Sequence, residues 1–141
     1  MTEAYPIQNL SDYRAWALNY PNAAKLLREV LFQWRGSNMK VRGKPGHWTV
    51  YPRDFWCQKT GLSLDQLKRA LKVLEIDQLV LRERHRFNGS EVRAYLQPTS
   101  RSVDFAGKSG DKERLGTAYQ PFNAPSPELL PGNRTVTEAT I

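Results

Sequence analysis

Four side chains in one short run, Gln66, Lys68, Arg69 and Lys72, carry the chemistry most worth following in this sequence. An arginine guanidinium offers paired N–H donors that match the acceptors on a guanine edge, and a glutamine amide can pair with adenine. Ammonium groups such as Lys68 and Lys72 suit phosphates, which fix register and carry no base identity. Ser63 is a natural N-cap for a helix bearing these groups. The amides at Leu64 and Asp65 would then lie at a helix N-terminus, where anions bind. Asp65 itself opposes a polyanion unless it accepts from a cytosine or from Arg69. Two further basic groupings flank the run: Lys40, Arg42 and Lys44 ahead of it, and Arg82, Arg84, Arg86 and Arg93 behind, with Lys59 between.

Other chemistries find little support. His47 and His85 have no second histidine or cysteine at ligand spacing, so no metal site is expected. Cys57 has no base beside it and suits packing better than nucleophilic attack. Glycine-rich phosphate loops, paired catalytic carboxylates and triads are all missing, so neither an enzyme nor a cofactor is expected. Trp48, Phe55 and Trp56 could stack on single-stranded bases, with packed core aromatics as the commoner outcome. Of these, Trp56 is the one expected to be exposed.

The 141 residues carry 21 Lys and Arg against 14 Asp and Glu, a net charge of +7. Such a balance points to a polyanionic partner. Five basic and five acidic groups follow residue 100, so the whole excess belongs to residues 1–100. A lone cysteine fits a reducing compartment. With no secretory leader at the N-terminus and no window near the ~18 apolar residues of a membrane span, a cytoplasmic protein is expected.

These side chains need elements to position them. Residues 1–20 read as a lead-in with a short helix capped by Ser11, on which Tyr13 and Trp16 could pack against the domain behind. Asn22 would cap a helix from Ala23 to about Arg35, with Leu26, Leu27, Val30, Leu31 and Trp34 at helical spacing. Gly36 would end it in the left-handed conformation. Residues 37–47 read as an exposed basic loop and 48–51 as a strand, and Pro52 would start a helix reaching Thr60. The turn Thr60-Gly-Leu-Ser leads into the helix from Leu64 to about Asp77. Its wheel places Leu64, Leu67, Leu71 and Leu74 inward and Asp65, Gln66, Arg69, Lys72 and Val73 outward. Strands 79–87 and 91–96 flank Asn88-Gly-Ser, a strong hairpin signal. Strand alternation puts Arg82, Arg84 and Arg86 on one face. Residues 99–141, with Pro121, Pro125, Pro127 and Pro131, are expected to be a mostly disordered tail. Within it, Tyr119-Gln-Pro-Phe and Glu128-Leu-Leu-Pro could be docking motifs or inert linker.

The order helix, strand, helix, turn, helix, hairpin over roughly residues 22–98 resembles the winged helix-turn-helix family. The run Pro52-Arg-Asp-Phe-Trp-Cys-Gln-Lys-Thr-Gly-Leu-Ser-Leu-Asp-Gln-Leu carries most of that resemblance. A glycine often sits in that family where Gln78 stands. The pattern is similar to small winged-helix proteins of phages and plasmids, including replication initiators. The resemblance implies an α+β, mainly α, domain at 21–98 with helix 64–77 in a major groove and the hairpin as a basic wing. It further implies sequence-specific duplex DNA binding by a transcription regulator or a replication-initiation protein. A homodimer and a protein partner held by the tail are compatible with it. Two alternatives stay open. One is a winged-helix module binding an acidic protein, or inhibiting a nucleic-acid machine; the other is a single-strand binder using Trp56.

Overall fold

The computed structural model of the chain describes residues 7–87, 89 and 91–119. These form an α+β structure, mainly helical, with six α-helices and a three-stranded antiparallel sheet. Helix α1 (Leu10–Asn19) starts earlier than Ser11 would have it. Asn9 is the cap, its side-chain oxygen accepting from the Asp12 amide at 2.8 Å. Helix α2 (Pro21–Arg35) begins at the proline expected to end the lead-in, and Asn22 lies inside it. Proline has φ preset and lacks an N–H, so it suits a first helical position.

Gly36 closes α2 at φ −98°, not left-handed. A residue remote in sequence also serves this helix end. Arg114 donates from Nε to the Trp34 carbonyl at 3.0 Å and from its guanidinium to the Ser37 carbonyl. The helix-end carbonyls are met locally as well, Gln33 by the Gly36 amide at 3.2 Å and Trp34 by the Ser37 amide at 3.0 Å, so no left-handed cap is needed.

Strand β1 is shorter than the expected 48–51, spanning Thr49–Val50. Helix α3 (Arg53–Thr60) follows Pro52, and Gly61 turns the chain at φ +76°. Helix α4 (Leu64–Ile76) opens with a reciprocal cap. Ser63 Oγ accepts from the Gln66 amide at 3.1 Å, and Gln66 Oε1 accepts from the Ser63 amide at 2.9 Å. At the corner after α4, Gln78 adopts φ +60°, the left-handed conformation for which glycine is usual. Its carbonyl accepts from Thr99 Oγ1 at 2.7 Å, which helps hold the strained corner.

Strands β2 (Val80–Phe87) and β3 (Glu91–Pro98) pair in the register Val80↔Pro98 to Phe87↔Glu91, and β1 lies on the far side of β3. The chain then departs from expectation. Residues 99–119, placed in a disordered tail by their composition, form α5 (Ser100–Ala106), α6 (Asp111–Leu115) and a 3-10 turn. Val103 and Leu115 enter the main core, and Arg35 grips the buried Asp111 carboxylate at 2.7 and 2.8 Å. The prolines that suggested disorder all lie at 121–131, outside the described residues, as does the Glu128-Leu-Leu-Pro motif. Tyr119 is described, and its hydroxyl donates to Asp104 at 2.8 Å.

The main core centres on α2 and α4, through Leu26, Leu27, Val30, Leu31 and Trp34 against Leu67, Ala70, Leu71 and Leu74. Trp16 joins it from α1, fully buried, with its indole N–H donating to Asp77 at 2.7 Å. The lead-in helix is therefore part of the core. A second cluster of Val41, Trp48, Val50 and Tyr95 lies under the loop that precedes β1. Among the described residues, no helix is long and apolar enough to cross a membrane.

Candidate nucleic-acid interface

Helix α4 buries Leu67, Ala70, Leu71 and Leu74. Leu64, expected inward, is 45% exposed, and Val73, expected outward, is partly buried against the core. Those two corrections rotate the exposed face. Asp65, Lys68, Arg69 and Lys72 all stand in solvent. Gln66 is exposed too, but its amide oxygen accepts from the Ser63 amide at 2.9 Å, so the cap holds the side chain back over the helix start.

The rotation gives α4 two flanks. On one, Lys68 and Lys72 line an open trough of ≈ 590 Å³ with Arg53, Leu71, Glu75, Ile76, Arg82 and Arg84. Five of these eight residues are cations and one is an anion. Alternation along β2 turns Arg82 and Arg84 toward α4, because Leu96 and Ala94, their partners on β3, line the same side. Arg82 is not free: its Nε donates to Glu75 Oε2, and its other nitrogen lies 3.0 Å from Oε1. This fork joins the hairpin to the last turn of α4. Arg84 has no such partner among the described residues, and Arg86, farther along the strand, is exposed.

On the other flank, Gln66 and Arg69 line a groove of ≈ 350 Å³ with the α1–α2 corner, Asn19–Ala23. Arg53 was missed as a site residue by sequence reasoning. It reads there only as a residue early in a helix, and nothing local says that α3 starts at the mouth of the trough.

The remaining expected residues fall elsewhere. Lys59 sits at the end of α3 with its ammonium 5.5 Å from the Phe55 ring. Arg93 pairs with Glu91 at 2.7 Å and lies opposite His85 in the register, on the sheet face turned from α4. Lys44 reaches Glu83 at 3.7 Å on that same back face. Lys40 and Arg42, in the same loop, are exposed. The three basic groupings therefore do not share one surface: the loop is behind the sheet, and the trough is in front.

Trp56 is buried, in edge contact with Tyr51 and Phe55, and Trp48 is buried in the second cluster. Neither indole offers a platform to a base. His47 has its pKa lowered, first by burial and then by the charges of Arg114 and Lys40. Among the described residues, no three His, Cys, Asp or Glu side chains gather where a metal ion could be held. No protein-family model matches this chain, and no curated protein or solved structure does so.

Proposed function

We propose that the chain is a winged helix-turn-helix protein that binds duplex DNA sequence-specifically, with α4 in the major groove and the β2–β3 hairpin along the backbone. The observation that carries this reading is the trough, where Lys68 and Lys72 of α4 face Arg53 and Arg84 across a gap lined mainly by cations. A phosphate strand passing there would be neutralised from both sides, while Arg69 stays free on the exposed face for a base edge. The use we infer is regulation of transcription or initiation of replication, as in the phage and plasmid proteins the sequence resembles.

The test is a competition mobility shift on duplexes selected from a random pool. Arg69→Ala is expected to reduce discrimination against a changed base by about 1–3 kcal/mol. Lys72→Ala should instead weaken all sequences alike and lower the salt slope by about one. Unchanged site preference in Arg69→Ala would remove α4 as the reading element. Duplex binding no tighter than that of a scrambled sequence would favour the acidic-protein alternative.

A further inference from the structure

We infer that the loop before β1 is a second polyanion-binding surface, able to hold a second segment of duplex while the trough holds the first. This rests on the duplex-binding reading above. Lys40, Arg42 and Lys44 form a basic grouping separate from the hairpin arginines, and the sheet lies between the two. Arg82 and Arg84 face α4, whereas Glu83, the residue between them, turns back to meet Lys44. A rigid duplex engaged along α4 cannot also follow the back of the sheet without bending around the protein.

The loop is built to present its charges. Val41 is buried beside Trp48, Val50 and Tyr95, anchoring the tip from beneath. The Lys44 amide closes a turn on the Val41 carbonyl at 3.0 Å, with Gly43 at φ +78°. Met39 bridges to Trp48 at the base, and the Gln97 amide donates to the Pro45 and His47 carbonyls at 2.9 and 3.0 Å. Lys40 and Arg42 project from this frame with no carboxylate partner among the described residues, and Lys44 shares Glu83 with His85. Much of the ordering entropy of the loop is therefore already spent in folding, and its cations need not be gathered on binding. Fixed cations clustered on a separate face suit phosphates.

The experiment is co-capture. A duplex of about two helical turns, ~21 bp, is too short and stiff to wrap the protein. One such duplex carries biotin and sits on beads; an identical one carries a fluorophore. The 141-residue chain, below saturation, is expected to retain the fluorescent duplex on the beads. The triple variant Lys40→Ala, Arg42→Ala, Lys44→Ala is expected to lose that retention by about tenfold or more at 0.1 M salt. It should keep the wild-type Kd and salt slope for a single duplex, which also shows that it is folded.

Three results would overturn the inference. One is no retention by the wild type although a single duplex binds. Another is retention unchanged in the triple variant, as two α4 surfaces in a dimer would give. The last is a lowered single-duplex salt slope, which would place the loop in the primary interface. Absence of single-duplex binding by the wild type would instead defeat the underlying reading.

Discussion

Asp111 is nearly dry beside Arg35, and opposing influences set its ionisation. Burial pushes its pKa up, but hydrogen bonds from Arg35 and the Lys108 amide, with the charges of both residues, hold it net below its ordinary 3.8. A carboxyl whose folded pKa is depressed adds stability above its unfolded value and loses it as pH falls through the folded one. Asp111→Asn is therefore expected to lower stability at neutral pH by about 1–2 kcal/mol. That is less than the ~3–5 kcal/mol of a fully buried pair, because the Arg35 side chain is 25% exposed. The gap between variant and wild type should stay constant down to about pH 4 and close below 3.8, as followed by urea denaturation across pH. A gap that persists unchanged to pH 2 would mean that packing, not charge, holds α6. No local pattern marked Asp111 for this role, since its partner lies 76 residues away.

Elements were the most legible scale, and their ends separate two kinds of glycine. Gly61 and Gly36 both read as helix terminators, yet only Gly61 is left-handed. A Cβ at Gly61 meets nothing nearer than the Lys25 ammonium at 4.0 Å, so Gly61→Ala tests backbone strain alone. It is expected to cost about 1–2 kcal/mol. Gly36→Ala, at negative φ with only the Gln33 carbonyl at 3.9 Å, should be neutral or gain about 0.4–1 kcal/mol. Thermal melts of the two variants decide the matter; equal losses would refute the assignment. Asn88-Gly-Ser placed the hairpin between the right strands, and Ser63 placed the start of α4, because those signals act over a few residues. The wheel of α4 was off by part of a turn. The leucine spacing puts Leu64 inward, whereas Leu64 is exposed and Ala70 and part of Val73 pack instead, with Ala23 lining the same groove from α2. Which face packs depends on the shape of the partner helices, and the spacing of the leucines alone does not show it.

At the scale of the molecule, the fold does not stop at Pro98. A chain ending there would lose α5 and α6, leaving Arg35 without Asp111 and the Trp34 carbonyl without Arg114. It is expected to melt several degrees below a chain ending at Tyr119, since a loss of 1 kcal/mol shifts Tm by roughly 4–8 °C in a small domain. Equal melting temperatures by circular dichroism would show that the C-terminal helices only decorate the core. Composition misjudged this region because four prolines beyond residue 120 were averaged with helical sequence before them. The sequence by itself determined the order of helices and strands between residues 22 and 98 and the alternation of charge along β2, all properties of neighbours in the chain. Tertiary structure alone decided that Arg84 and Arg53 meet Lys68 and Lys72 in one trough, that Lys40, Arg42 and Lys44 stand behind the sheet, and that Trp56 is hidden. Those outcomes depend on which faces pack together across tens of residues, and spacing along a single chain carries no record of that.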